Sequence, residues 1–204
     1  MYRYRILPAL LIAATASFAP LQADETPEWV GFYQSKQYDK ALKSIDQSMV
    51  KEVDEDKKGL YWSRSNINLA LGKVDDAIED CNKALKLAPN DPWTYHVRSM
   101  AYAAAHDEKK AVADATKAIE LSKDHEYSYM NRALIYRKLG NYSKAIEDYT
   151  TAIAKSPENG AAFYFRGDVL KETGKLKEAD ADFESAKKLG FKLGEDFLSG
   201  DSTK

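Results

Sequence analysis

Arginine and aspartate recur in pairs along the chain, and in every pair the arginine precedes the aspartate by 16 residues. Carboxylates at a regular spacing could act as general acids or bases. Because each of these acids has its own arginine, a series of ion pairs is the better interpretation. Exposed ion pairs contribute roughly 0–1 kcal/mol each, so we expect them to serve register and solubility rather than chemistry. The pairs are Arg64 with Asp80, Arg98 with Asp114, Arg132 with Asp148, and Arg166 with Asp182.

The three histidines and the single cysteine show no catalytic or metal-binding pattern. His96, His106 and His125 lack the i, i+4 spacing of a helical metal site. His125 lies in a KDHE segment whose acids could ligate a cation, although a solvated loop is the stronger interpretation. One cysteine cannot form an intramolecular disulfide or a multi-cysteine zinc site, and Cys81 is predicted to be a core residue. We therefore predict no catalytic residue, no metal site and no cofactor.

The composition favours a helical protein. The chain has 204 residues and a formal net charge of −2. Its 30 basic residues are balanced by 32 acidic ones, which argues against a broad basic surface for nucleic acid. Hydrophobic residues make up 44% and charged residues 30%, as in an ordinary globular chain. Six prolines and ten glycines are few for an all-β protein of this length.

Residues 1–23 have the features of a secretory signal peptide. Arg3 and Arg5 give a positive start, residues 6–19 are an apolar stretch too short to span a bilayer comfortably, and Ala23 suits the position before a cleavage site. An uncleaved amphipathic anchor is the alternative. We expect cleavage after Ala23, a mature protein that is periplasmic or secreted, and no membrane-embedded segment after cleavage.

The rest of the chain repeats itself with a period of 34 residues. Alanines, aromatic residues and glycines fall into columns of this spacing, which is typical of a repeat architecture. Apolar residues recur at helical spacing on both sides of the glycine column. Each copy is therefore predicted to form two antiparallel helices joined by a turn. The columns include Ala77, Ala111, Ala145 and Ala179; Tyr61, Tyr95, Tyr129 and Phe163; and Gly72, Gly140 and Gly174 with His106.

The third copy carries the fullest motif. It has an aromatic residue, a small residue and a tyrosine before the turn, then A-x3-Y-x2-A and a proline. With this motif and period, the chain resembles the tetratricopeptide repeat family. The other copies depart from the motif at several positions, for example with Phe191 in place of the proline. The motif residues of the third copy are Tyr129, Ala133, Tyr136, Gly140, Tyr142, Ala145, Tyr149, Ala152 and Pro157.

The resemblance implies an all-α fold, a right-handed α-solenoid of antiparallel helix pairs. About four full repeats would follow a degenerate first pair, in which Ala41 lies 36 residues before Ala77 rather than 34. A flexible tail would end the chain. The predicted segments are residues 24–57 for the degenerate pair, 58–91, 92–125, 126–159 and 160–193 for the repeats, and 194–204 for the tail.

The resemblance also implies that a protein or peptide partner binds in a concave groove lined by the first helix of each repeat. The residues carried to that face are rich in aromatic side chains and methionine, which suit an extended or helical peptide with apolar side chains. Packing in gaps between helices is the alternative role. The lysines of the family's clamp for chaperone carboxylates are absent. The groove residues are Trp62, Asn66 and Leu69; Trp93, His96 and Met100; Tyr127, Met130, Leu134 and Arg137; and Tyr164, Asp168 and Lys171.

Three classes of function are open. The leading prediction is a non-catalytic protein–protein interaction module or scaffold in an exported compartment. A periplasmic chaperone or assembly factor for secreted clients is the alternative, and an enzyme with an unrecognised site is the third. At the C-terminal end, Phe191, Leu193, Phe197 and Leu198 either fold back over the last helix or leave an apolar end that pairs with a second copy. We predict a monomer or a weak homodimer.

Overall fold

The structure is a computed structural model and describes residues 27–51 and 57–191. These residues form ten α-helices and no strand, which confirms the predicted all-α helical-repeat solenoid. The predicted signal peptide and C-terminal tail lie outside the described residues. The helices are α1 (Glu28–Gln34), α2 (Tyr38–Lys51), α3 (Lys58–Ala70), α4 (Val74–Leu87), α5 (Pro92–Ala104), α6 (Glu108–Leu121), α7 (Glu126–Lys138), α8 (Tyr142–Lys155), α9 (Gly160–Glu172) and α10 (Leu176–Lys188).

The chain divides into two compact units, Met1–Asp107 and Glu108–Lys204. Unit 1 contains α1 to α5. In it α1 packs against α2 and α3 against α4, and each second helix packs against the first helix of the next pair. Unit 2 contains α6 to α10 and follows the same scheme. The hairpin partners are α7 with α8 and α9 with α10. The second helix α6 packs against α7, and the second helix α8 packs against α9. The boundaries of the individual repeats stay predictions.

Each first helix is followed by one residue with a left-handed backbone. Glycine adopts positive φ without steric penalty, and glycine occupies three of the five positions. Lys36 and His106 adopt the same conformation with φ of 59° and 61°, although a side chain disfavours it by roughly 1–2 kcal/mol. The turn therefore requires a left-handed backbone at this position, even where the residue is Lys or His and the conformation is strained. The turn residues are Lys36, Gly72, His106, Gly140 and Gly174.

The N-terminal helix pair is a shifted copy of the same hairpin. Lys36 precedes Gly72 by 36 residues, which is also the offset between Ala41 and Ala77. Both alanines are fully buried. The two additional residues of this copy therefore lie between α2 and α3 rather than within the hairpin.

Small residues let the paired helices approach each other closely. The alanine columns are fully buried, as in close-packed protein interiors generally. A small residue is also required at Gly167 of α9, where an added Cβ atom would lie 3.0 Å from the ring of Phe183 on α10. The buried alanines include Ala77 and Ala84 in α4, Ala111 and Ala118 in α6, and Ala145 and Ala152 in α8.

Phe191, which stands where the motif has a proline, packs back onto the last repeat. Its ring centroid lies 5.2 Å from that of Tyr164 on α9. Its Cβ atom would be only 2.8 Å from a Cβ atom added at Gly160, so the glycine that begins α9 permits the approach. Phe191 therefore packs against α9, and the predicted lid over the last helix stays a prediction because the other three residues of that segment lie outside the described part of the chain.

The outward face of the last helix is charged, unlike that of the second helix before it. In α8, Ile146 and Ile153 lie one turn on either side of Thr150, whose hydroxyl accepts a hydrogen bond from Arg166 of α9. The three α8 residues therefore share the face that meets the next repeat. In α10 that face is polar, which suits the end of an array. Its equivalent residues, all exposed, are Asp180, Glu184 and Lys187.

Candidate interaction surface

The predicted ion pairs form between the two helices of one hairpin. Arg132 on α7 donates from Nε and Nη2 to the two carboxylate oxygens of Asp148 on α8, both at 2.8 Å. This confirms the predicted series of ion pairs, here called the ladder, for three of its four members. The fourth, Arg98 with Asp114, joins residues of different units and stays a prediction. The other two are Arg64 with Asp80, at 2.8 and 2.6 Å, and Arg166 with Asp182, both contacts at 2.7 Å.

Each arginine of the ladder also reaches back to the preceding helix pair. Nη1 of Arg132 donates to Oγ1 of Thr116 on α6 at 3.0 Å. The guanidinium of Arg132 lies 5.9 Å from the ring centroid of Tyr129, a cation–π contact. The arginine therefore joins successive repeats, while the aromatic residue packs against it within the same helix. The other backward contacts run from Arg64 to Asp46, from Arg98 to Asn82 and from Arg166 to Thr150.

The carboxylates of these pairs are buried. The side chains of Asp80, Asp148 and Asp182 are only 3%, 7% and 7% exposed. The expectation that the pairs are exposed and serve solubility is therefore wrong. The period shows which residues recur, but burial follows from the packing of the second helix against its neighbours. A buried carboxylate depends on its arginine, since an unpaired buried charge is strongly unfavourable.

In unit 1, the predicted face of the first helices is only partly accessible. Trp62 and Trp93 are half-buried, whereas Asn66, Leu69, His96 and Met100 are buried. Nδ2 of Asn66 donates to the carbonyl oxygen of Trp62 at 2.8 Å, so this side chain serves its own helix. The alternative role, packing between helices, therefore holds for the four buried residues. A contact between the two tryptophans and a partner stays a prediction.

In unit 2, α7 and α9 present a larger part of the predicted face. Met130 is the exception in this unit, since it is buried and its sulfur accepts a hydrogen bond from Nδ2 of Asn159 at 3.4 Å. The accessible side chains are both apolar and charged, and their binding of a partner stays a prediction. Lys171 is exposed, and the half-buried residues are Tyr127, Leu134, Arg137, Tyr164 and Asp168.

Tyr164 belongs to an aromatic cluster at the C-terminal end of unit 2. Its ring centroid lies 5.6 Å from that of Phe165, 5.4 Å from that of Phe183 and 5.2 Å from that of Phe191. Aromatic pairs at these distances stabilise packing beyond their buried area. One side of the Tyr164 ring therefore packs within this cluster, and the rest of the side chain is partly exposed.

Arg137 on α7 forms the main polar contact across the accessible face of unit 2. Nη2 lies 2.7 Å from Oδ2 of Asp168. The same guanidinium donates to Glu172, with Nε at 3.2 Å from both carboxylate oxygens and Nη2 on Oε1. Both acids are on α9, so the cluster joins the first helices of successive repeats. Sequence reasoning missed Glu172, although its position four residues after Asp168 placed it on the same helix face.

Tyr149 of α8 carries a fully buried hydroxyl for which the described residues provide no hydrogen-bond partner. Burial raises the pKa of this phenol, while Arg137 lowers it and Asp168 raises it. The hydroxyl therefore lies within electrostatic range of the Arg137 cluster. The sequence indicated Tyr149 only as a motif residue, since an aromatic column carries no sign of an unsatisfied hydroxyl.

In the segment before α7, His125 is packed although its neighbours Lys123 and Asp124 are exposed. His125 is buried, and its Nδ1 lies 2.6 Å from Oγ of Ser128. The solvated-loop interpretation of His125 is therefore wrong. Its neighbour Tyr127 lies edge-on to the His125 ring at 6.2 Å, and burial, followed by the charge of Glu126, raises the pKa of Tyr127 to about 12.

The remaining reactive residues do not assemble into a chemical site in the described residues. Cys81 is fully buried, which confirms it as a core residue. Among residues 27–51 and 57–191, no group of three or more His, Cys, Asp and Glu side chains could hold a metal ion. Within the same ranges, none of the helices has both the length and the apolar character required to cross a bilayer.

Stacked helix pairs whose first helices carry a mixed apolar and charged face define a class of protein, the helical-repeat scaffold. Three stretches of the chain match family models of the tetratricopeptide repeat, at residues 59–91, 126–159 and 160–189. The chain belongs to the tetratricopeptide repeat family. Repeats of this family form protein–protein interaction scaffolds and are generally non-catalytic. No curated protein matches the chain.

Several solved structures share this fold. A thermophilic TPR protein of Thermus thermophilus is 20% identical with a TM-score of 0.73, and the match covers 84% of this chain and 92% of that one. A crystal structure of MamA is 20% identical with a TM-score of 0.66 and coverages of 81% and 95%. MamA from Desulfovibrio magneticus RS-1 is 18% identical with a TM-score of 0.66 and coverages of 85% and 93%. These identities are low, so the likeness shows the fold alone.

Proposed function

We propose that this chain is a non-catalytic interaction module that binds a peptide or protein segment on the exposed face of its first helices. In unit 2 that face, here called the α7/α9 face, consists of Tyr127, Leu134, Arg137, Asp168 and Lys171. We further propose that the protein acts in an exported compartment, as residues 1–23 suggest, and that it binds without a cofactor and without nucleic acid.

The observation that supports this proposal is the composition of the α7/α9 face. Leu134 and Tyr127 supply partly accessible apolar surface, and Arg137 is held in a fixed position beside them by two carboxylates. Binding surfaces commonly combine a small apolar centre with oriented polar groups around it. Elsewhere on the helices of unit 2, exposed leucines lie at helix ends, as Leu139 and Leu176 do.

The direct test is a selection of short random peptides on the full chain, followed by titration of the enriched peptides. We expect a set of related peptides that compete with one another for one site. Leu134→Ala should weaken binding about tenfold, because it removes a buried apolar contact of about 1–2 kcal/mol. The matched control is Leu176→Ala, which truncates a 59% exposed leucine on α10.

Two results would contradict the proposal. One is the absence of any enriched peptide. The other is equal loss of affinity in Leu134→Ala and Leu176→Ala, which would place binding elsewhere. Lys171→Ala provides a second variant at an exposed position, so the test does not depend on the folding of Leu134→Ala. Thermal melts of all three variants establish that each is folded.

The exported location has its own test. The full chain expressed with its residues 1–23 should be recovered outside the cytoplasm, and its intact mass should correspond to a chain that begins at Asp24. Recovery in the cytoplasm at the mass of the uncleaved chain would contradict the proposal. Removal of the charges of Arg3 and Arg5 should slow processing, since signal peptides begin with a positive segment.

A further inference from the structure

We propose that Arg137 and Asp168 of the α7/α9 face, together with Glu172 one turn further along α9, receive a basic side chain, lysine or arginine, of the partner. This inference rests on the proposed function, because it names the chemistry of the segment that would bind there. These three residues are called the acidic subsite below.

The acidic subsite is organised before any partner arrives. Arg137 lies between the two carboxylates, with Nη2 at 2.7 Å from Oδ2 of Asp168 and Nε at 3.2 Å from both oxygens of Glu172. Bonds between a guanidinium and a carboxylate are directional, so both acids are held in orientation. A ligand that contacts them would therefore lose less side-chain entropy than one that contacts two mobile acids.

The charge of the acidic subsite is unbalanced. Two carboxylates and one guanidinium sum to −2 + 1 = −1. The side chains of Arg137, Asp168 and Glu172 are 24%, 32% and 38% exposed, so a ligand can reach them from solvent. A partner carboxylate would have to displace two acids from Arg137. A partner cation meets two oriented acceptors instead.

A second observation points to the same place. The Tyr149 hydroxyl is fully buried, lacks a hydrogen-bond partner among the described residues, and interacts electrostatically with Arg137, Asp168 and Glu172. An unsatisfied buried hydroxyl is unfavourable by roughly 1–3 kcal/mol. A lysine ammonium carries three donors and no acceptor, so it suits the two carboxylates, while the buried hydroxyl lies beneath the surface and does not contact the ligand.

The Arg132 and Arg166 pairs do not share this property. Each of those arginines holds one buried carboxylate and donates its remaining nitrogen to a threonine of the preceding helix pair. Asp148 and Asp182 are both 7% exposed and offer no surface to a partner. Arg64 also contacts two acids, but Asp80 is 3% exposed and only Asp46, at 50%, is accessible, so Arg64 presents one accessible carboxylate rather than two.

The test uses the peptides enriched by selection on the full chain. We expect a lysine or arginine at one fixed position of the enriched peptides. Replacing that residue by norleucine or by citrulline should weaken binding about tenfold or more, which corresponds to the loss of a charge-assisted hydrogen bond. This change is made in the peptide, so it leaves the folding of the protein unaffected.

The protein side of the test is the double variant Asp168→Asn with Glu172→Gln. It should bind the basic peptide and its uncharged counterpart with nearly equal affinity. The matched control is Glu178→Gln with Asp180→Asn, which changes the same two residue types at exposed positions of α10 and should retain the full preference. Raised salt should weaken binding of the basic peptide more than that of the uncharged one.

The outcomes separate the two proposals. Enriched peptides without a basic position, or a norleucine peptide that binds as tightly as the lysine peptide, would overturn the acidic subsite while the interaction module stands. Failure to enrich any peptide would overturn both. A basic preference that persists in Asp168→Asn with Glu172→Gln would also overturn the acidic subsite, since the cation would then bind elsewhere.

Discussion

Arg132 and Asp148 lie on the two helices of one hairpin, and the guanidinium holds both carboxylate oxygens at 2.8 Å. The carboxylate is 7% exposed and the arginine 18%. Because Nη1 of Arg132 also contacts Thr116 at 3.0 Å, one side chain links three helices. The arginine therefore both neutralises a buried acid and joins consecutive repeats.

Arg132→Ala should lower the free energy of unfolding by about 3 kcal/mol, because it leaves a buried carboxylate without its partner. Urea denaturation measures the change. The matched control is Lys155→Ala. Nζ of Lys155 lies 2.9 Å from Oδ1 of Asp124, whose side chain is 96% exposed, so the urea midpoint of this variant should stay unchanged. A loss below about 1 kcal/mol in Arg132→Ala would mean that the ladder behaves like ordinary surface pairs.

His106→Gly should stabilise the protein by about 0.5–1 kcal/mol, since His106 holds φ at 61° and glycine adopts that conformation without strain. Gly140→Ala at the equivalent turn should destabilise it by a similar amount. An added Cβ atom at Gly140 meets nothing within 4 Å, so that loss would be conformational. Thermal melts of both variants test the pair, and shifts in the same direction would contradict the explanation.

Tyr149→Phe should raise the free energy of unfolding by about 1 kcal/mol at neutral pH, because it removes an unsatisfied buried hydroxyl. Burial raises the pKa of Tyr149 in the folded state. Folding favours the protonated form of Tyr149, so the free energy of unfolding is unaffected by its ionisation below the unfolded pKa of about 10 and falls as pH rises above that value. The variant should lose less stability than the parent between about pH 10 and 11. Denaturation at several alkaline pH values measures this, and parallel losses would contradict it.

Asp180→Ile with Lys187→Ile should make the chain self-associate. These residues occupy the positions that hold Ile146 and Ile153 in α8, and both are exposed in α10. The change would create an apolar face on α10 that is exposed among the described residues. Light scattering should show larger species for this variant and a monomer for the parent. The matched control is Asp75→Ile with Lys86→Ile on α4. A parent protein that is itself a stable dimer would contradict the prediction.

The helices and the ladder were predictable because both depend on columns of residue type. A period of 34 with helical spacing on each side of a turn allows few folds. The offset of 36 between Ala41 and Ala77 likewise indicated a shifted first copy, which Lys36 at the turn supports. Positions of this kind are determined locally, by the chain within one hairpin.

Burial was not predictable to the same degree. His96, Met100 and Met130 have residue types that suit a binding face, yet they are covered by neighbouring helices. His125 was expected in solvent because its neighbours are charged, but it packs beside Ser128. These outcomes depend on contacts between elements that are distant in sequence, which periodicity alone does not specify.

Chemical-shift mapping of an enriched peptide on the isotopically labelled chain tests most directly whether the face of the first helices binds the partner. We expect the largest shifts on α7 and α9, at Tyr127, Leu134, Arg137 and Lys171, and unchanged signals from the outward residues of α8 and α10. Shifts concentrated on α8 and α10, with none on the first helices, would contradict the claim that this face binds the partner.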